Sequence, residues 1–127
     1  MPKLLIVDDE LDVREFVANF FRKRKLEVVT AKNGEEAVST FSKHLPDLTL
    51  LDIKMGDMDG IEALRRIKEI NPQASVVMLT GQRPEDDDAY KRCKDLGALD
   101  YIHKPLELDT LEKAVNKQIN AMGVKAK

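Results

Sequence analysis

Leu4-Leu5-Ile6-Val7-Asp8-Asp9 is a short apolar run that ends on two carboxylates, and its form recurs along the chain. Leu48 to Leu51 ends on Asp52, Val76 to Leu79 ends on Thr80, and Leu99 to Ile102 stops just short of Lys104. Short apolar runs of this kind are the pattern of strands buried on both faces, as in a parallel sheet covered by helices. Ligands and chemistry gather at the carboxyl edge of such sheets. Three carboxylates, a hydroxyl and an ammonium are therefore expected to meet there.

Helical spacing fills the intervals between these runs. Val13, Phe16, Val17 and Phe20 recur every three or four residues and predict the buried face of a first helix. Arg22-Lys23-Arg24-Lys25 closes it and reads as a solvated cap complementing the negative end of the helix dipole. Leu26 to Thr30 reads as a second strand, and Asn33-Gly34 opens a helix through Ala37, Val38 and Phe41 that ends before Pro46. After Asp52, a loop with Gly56 and Asp59-Gly60 leads to a helix carrying Ile61, Leu64, Ile67 and Ile70, which stops at Asn71-Pro72. Gly81 to Pro84 reads as a loop, and the acidic Glu85 to Asp88 starts a helix through Tyr90, Cys93 and Leu96 that ends at Gly97. Leu108, Leu111, Val115 and Ile119 mark the last helix. Five such βα units joined by right-handed crossovers predict a flavodoxin-like doubly wound (βα)5 fold with strand order 2-1-3-4-5. Strands 1, 3 and 4 then lie side by side, bringing Asp8, Asp9, Asp52 and Thr80 to the edge where strand order reverses.

At 127 residues the chain is expected to be a single domain, 1–127. Its 43% hydrophobic and 35% charged residues suit a water-soluble globular protein. Cys93 is the single cysteine and has no internal disulfide partner, which points to a reducing, cytoplasmic setting and to a structural thiol. No apolar stretch approaches a membrane span, and Met1-Pro2-Lys3 runs straight into a strand, so neither membrane insertion nor a signal peptide is expected. Twenty-one basic against 23 acidic residues, net charge −2, leave no basic footprint for direct nucleic-acid binding.

Taken singly, each candidate residue has a structural explanation: Asp8 or Asp9 as a helix cap, Asp52 at a loop mouth, Thr80 as a strand end, Lys104 as a surface lysine. Their convergence is what points to chemistry. Three carboxylates within a few ångströms repel one another, and a divalent cation relieves this. Oxygen ligands without histidine or cysteine suit Mg²⁺. A metal beside a carboxylate, a hydroxyl and a lysine suits phosphoryl transfer, with Asp52 as the nucleophile that becomes an aspartyl phosphate.

Four segments carry a resemblance to a known family: Leu5 to Glu10, Leu51 to Gly60, Leu79-Thr80-Gly81 and Asp100 to Pro105. Together they resemble the receiver domain of two-component response regulators, in order and over essentially the whole chain. The resemblance implies a phosphoacceptor switch in which Asp52 takes a phosphoryl group from a sensor histidine kinase or a histidine phosphotransfer protein. It further implies Mg²⁺ held by Asp9, Asp52 and the backbone carbonyl of Lys54, with Asp8 acting through the water shell. Lys104 would bind a phosphoryl oxygen, Thr80 would turn its hydroxyl toward the phosphate, and Tyr101 would swing inward. Gly81 would keep the approach to Asp52 open, and the Lys104-Pro105 bond is expected to be cis. Repacking of helix 4, strand 5 and helix 5 would then change the surface offered to a downstream effector.

Moving a two-state equilibrium from 1:99 to 99:1 takes about 5.5 kcal/mol. A few charge-assisted hydrogen bonds, each about 1.5–3 kcal/mol, are of that order.

Two features depart from the family pattern. Gly56 stands where proline is usual, and the segment from Thr80 to Lys104 is a little longer than in many receivers, with Pro84 and the acidic run inside it. Lys54 and Gln82 lie two positions after Asp52 and Thr80, where the family sets phosphoryl lifetime; a long Lys54 is expected to shield the acyl phosphate. The rival enzyme is a haloacid-dehalogenase-like phosphatase, which needs a second aspartate where Lys54 stands. A receiver-like interaction module that takes no phosphoryl group is the other alternative, and the joint presence of Asp9, Asp52, Thr80 and Lys104 argues against it. The chain reads either as a stand-alone regulator or shuttle or as a receiver cut from a longer protein, and the Gly123 to Lys127 tail suits a terminus or a severed linker. The last helix has no arginine-rich dimer pattern, which favours the stand-alone or phosphorelay reading.

Overall fold

The computed structural model describes residues 2–53, 59–80 and 87–121, and of residues 87–90 the backbone alone. The expectations for Lys54, Gly56, Gly81, Gln82, Pro84 and Gly123 to Lys127 lie outside the described residues. The strands are β1 (Lys3–Val7), β2 (Glu27–Ala31), β3 (Leu48–Asp52), β4 (Val76–Thr80) and β5 (Asp100–His103). They alternate with α1 (Leu11–Arg22), α2 (Gly34–His44), α3 (Gly60–Ile70), α4 (Asp87–Asp95) and α5 (Leu108–Ala121). All strand pairings are parallel, in the predicted order β2-β1-β3-β4-β5.

Each strand feeds two cores, because successive side chains point to opposite faces. Leu5, Val7, Leu51 and Met78 pack toward Ala37, Phe41, Leu64 and Ile67 of α2 and α3. Leu4, Ile6, Leu50, Val77, Leu79 and Ile102 pack toward Val17 and Phe21 of α1 and Leu111, Val115 and Ile119 of α5. The central strands β3 and β4 are buried along their whole length, which is why apolar residues predominate in them.

Three local expectations are corrected. On α1 the buried residues are Val17, Ala18 and Phe21, while Phe16 is 59% exposed and Phe20 half-buried. Small Ala18 lets the helix approach the sheet and Phe21 fills the gap beneath, which rotates the buried stripe by one residue. β2 runs from Glu27 to Ala31 instead of starting at Leu26, whose N–H is taken by the Phe21 carbonyl at 3.3 Å after the left-handed turn at Lys25, φ 63°. β5 starts at Asp100, one residue later than expected. The basic run is also more than a solvated cap. Arg24 stacks over the Phe20 ring at 3.8 Å and pairs with Glu112, tying the end of α1 to α5.

Helix ends follow their local chemistry. Asn33 and Asp59 cap α2 and α3 by accepting from the N–H groups of Glu36 and Glu62. Gly97, at φ 100°, supplies the left-handed residue that ends α4 and turns the chain into β5.

Two buried groups yield tests. The Thr49 hydroxyl is fully buried and, among the described residues, has no hydrogen-bond partner. Thr49→Val removes that desolvated hydroxyl and keeps the shape, so urea denaturation should show a gain of about 1 kcal/mol; a loss of that size would contradict it. Cys93 is fully buried, and desolvation pushes its thiol up from 9.0 to about 11; nearby Arg92 opposes the shift and Asp59 adds to it. Its protonated form is thus favoured by folding. That stabilisation is complete below pH 9 and is lost as pH rises from about 9 to about 11. Between pH 8.5 and 10.5 the wild type should lose about 2 kcal/mol more than Cys93→Ala, measured by urea midpoints at each pH. Parallel pH profiles would contradict the assignment.

Candidate functional site

The carboxyl ends of β1, β3 and β4 lie together because these strands are neighbours in the sheet. Asp52 ends β3, is 2% exposed, and receives a hydrogen bond from Lys104 Nζ on Oδ2 at 2.7 Å. The same ammonium stands 3.3 Å from Oδ2 of Asp8, a fully buried residue just past β1. One cation thus bridges two buried carboxylates contributed by different strands.

Lys104 comes from the loop after β5 and is fixed by its backbone. Its N–H donates to the Thr80 carbonyl at 2.8 Å, and the Lys104–Pro105 bond is cis, as expected. Partial burial disfavours the ammonium, but the hydrogen bond to Asp52 and the charges of Asp52 and Asp8 outweigh it, raising the Lys104 pKa above its ordinary value. Thr80 is buried at the end of β4, opposite His103 in the β4–β5 register. Tyr101 is half-buried on β5 against the core beneath α2 and α3.

The β1–α1 corner holds the remaining acids. Asp8 accepts at Oδ1 from the Glu10 N–H at 2.9 Å, while Oδ2 is buried and has no hydrogen-bond partner among the described residues. Carboxylate oxygens of Asp8, Asp9 and Glu10 lie within 4.8 Å of one another, the last two exposed. Negative charge therefore exceeds the single bridging ammonium. A group of carboxylate oxygens in excess of the neighbouring cation, with no imidazole or thiol among them, fits a hard divalent cation. Of the predicted site residues, Asp8, Asp52 and Lys104 are brought into direct contact, and Asp9 joins them through Asp8.

Three contributors escaped the sequence reading. Glu10 belongs to the acidic group, and its position directly after Asp8-Asp9 was the available signal. Arg14 donates from Nη1 to the Asp8 carbonyl at 2.8 Å. Gly60 lies against the backbone of the strand end: its N–H donates to the Ile53 carbonyl at 2.7 Å, and a Cβ there would stand 2.0 Å from the Asp52 carbonyl oxygen. No side chain fits between α3 and the residue that presents Asp52.

Residues 4–116 match the family model described as the response regulator receiver domain. The chain is 40% identical over 121 residues to the chemotaxis protein CheY of Bacillus subtilis (strain 168), covering 93% of this chain and 98% of that protein. It is 38% identical over 117 residues to sporulation initiation phosphotransferase F of the same organism, covering 92% and 93%. Among solved structures, a response regulator receiver domain protein from Clostridium thermocellum superposes with a TM-score of 0.87 at 31% identity, covering 97% of this chain and 98% of that one. No helix among the described residues is long and apolar enough to cross a membrane.

The tight fit at Gly60 makes Gly60→Ala a test of how firmly Asp52 is held. The added methyl meets backbone, which cannot swing aside, so stability should fall by about 3 kcal/mol in urea denaturation. A change within about 0.5 kcal/mol would show that α3 moves away freely.

Proposed function

This chain belongs to the response regulator receiver domain family, and from that premise we propose that it is a phosphoacceptor switch whose substrate is its own Asp52. The Lys104 ammonium seated on Asp52 and beside Asp8 carries the reading. A cation already placed at the nucleophile's oxygen is poised to bind the oxygens of an incoming phosphoryl group.

A carboxylate oxygen of Asp52 attacks the phosphorus of a phosphohistidine on a sensor kinase or histidine phosphotransfer protein. The O–P bond forms as the P–N bond breaks, and the histidine nitrogen keeps the bonding pair and takes a proton from solvent. Asp9 and Asp52 would hold Mg²⁺ directly and Asp8 would act through its water shell; the Lys54 backbone carbonyl, the third ligand that the family resemblance implies, lies outside the described residues. When bound, the metal supplies positive charge to the phosphoryl oxygens and offsets the acidic group. Lys104 moves from the Asp52 carboxylate to a phosphoryl oxygen, Thr80 donates its hydroxyl to another, and Tyr101 follows inward. The α4–β5–α5 surface then changes for a downstream effector. The similarity to a protein named for phosphotransfer supports a relay role, and that to a chemotaxis protein supports a signalling one. The whole chain acts as a single cytoplasmic domain, without direct nucleic-acid binding or membrane insertion. Receiver domains are regulatory, so activity toward other substrates belongs to partners. Family membership displaces the haloacid-dehalogenase reading.

Incubation with acetyl phosphate and Mg²⁺, followed by intact-mass measurement, is the direct test. Wild type should gain one labile phosphoryl group. Asp52→Asn should gain none, and chelation of the metal should abolish the gain. No gain by wild type, or an undiminished gain in Asp52→Asn, rejects the function.

A further inference from the structure

We propose that Arg14 is a positioning residue that holds the Asp8 to Glu10 corner in the shape that receives the divalent cation, an inference that rests on the metal-dependent reading above. Arg14 lies in the second turn of α1 and reaches back six residues, its Nη1 donating to the Asp8 main-chain carbonyl at 2.8 Å. Asp8 is thereby held at three of its four polar atoms. Its N–H donates to the Ala31 carbonyl at 3.2 Å, its carbonyl accepts from Arg14, and its Oδ1 accepts from the Glu10 N–H at 2.9 Å. The fourth, Oδ2, is the buried oxygen without a hydrogen bond, facing the Lys104 ammonium at 3.3 Å. The direction of that oxygen is thus set by contacts elsewhere on the residue.

Asp9 and Glu10 are exposed and have no core packing to hold them, so the backbone between Asp8 and α1 fixes where their carboxylates stand. Arg14 closes that backbone into a corner, with a charge-assisted bond at one end and its own helix at the other. A guanidinium suits the task, because its planar fork keeps direction where a lysine ammonium would only supply charge.

Charge and geometry make opposite predictions for removal of this side chain. As a nearby positive charge, Arg14 would repel a bound cation, and its loss would tighten metal binding. As a brace, its loss lets Asp8, Asp9 and Glu10 spread and weakens binding. Arg14 is only partly buried, so its charge is screened by water and salt and the brace dominates.

Titration calorimetry with Mg²⁺ on the intact chain, beside urea denaturation without metal, separates these effects. Arg14→Ala should raise the Mg²⁺ Kd about 10-fold, the low end of losses seen when a partner outside the ligand set is removed. Arg14→Lys should fall between wild type and Arg14→Ala. A role in fold stability alone would lower the urea midpoint while leaving the Kd of the folded protein unchanged. An unchanged or lower Kd in Arg14→Ala overturns the proposal. If Arg14→Ala does not fold, Arg14→Lys decides: weaker binding than wild type supports the brace, and equal binding overturns it. Wild type that fails to bind Mg²⁺ would instead reject the metal-dependent reading itself.

Discussion

A lysine ammonium held between two buried carboxylates is the constraint around which this molecule is arranged. Asp52 and Asp8 arrive on different strands, and Lys104 reaches both from a loop beyond a third. Removing one member of a buried pair of this kind costs about 3–5 kcal/mol, because the remaining charge is left unpaired. The ammonium therefore has to be delivered accurately. Its N–H is fastened to the end of β4 at Thr80, so the residue that compensates the acids is anchored to the strand beside them.

Such an arrangement is available only at the edge of a sheet with both faces covered. The apolar runs of β1, β3 and β4 are consumed by the two cores, and apart from Thr49 their uncharged and charged polar residues stand at or beyond the carboxyl ends or at the first residue. Parallel register aligns those ends, and the reversal of strand order beside β1 opens a crevice in which they meet. Gly60 then presses α3 against the backbone of Asp52 and limits the freedom of the strand end. Packing places the acids and backbone contacts aim them.

The strands, their order and the convergence of Asp8, Asp52 and Lys104 were legible because each has a one-dimensional signature: an apolar run, a polar terminus, helical spacing between. The buried face of α1 was not. Val13, Phe16, Val17 and Phe20 satisfy helical spacing as well as the stripe through Val17, Ala18 and Phe21, and only the approach of α1 to the sheet selects the second. Arg24 likewise reads as one of four exposed cations until α5 brings Glu112 beside it. Arg14 and Gly60 were missed for the same reason, since the groups they serve are main-chain atoms that carry no residue-specific signal in the sequence. The sequence motif itself hid Glu10, whose two neighbours drew attention as the acidic pair.

The resting contact between Lys104 and Asp52 also determines where the energy of switching must come from. In the proposed function the ammonium exchanges one anionic oxygen for another, so it contributes only the difference between two charge-assisted bonds. That difference is smaller than the whole value of either bond, about 1.5–3 kcal/mol. Near-complete conversion of a two-state surface needs about 5.5 kcal/mol. Lys104 alone cannot supply it. The balance has to come from the other groups that meet the phosphoryl oxygens and from the charge the group adds, and the Thr80 hydroxyl stands buried at the neighbouring strand end. In the proposed function Lys104 is thus the restraint that keeps the unmodified site ordered, and the change of the α4–β5–α5 surface draws also on the additional negative charge on Asp52.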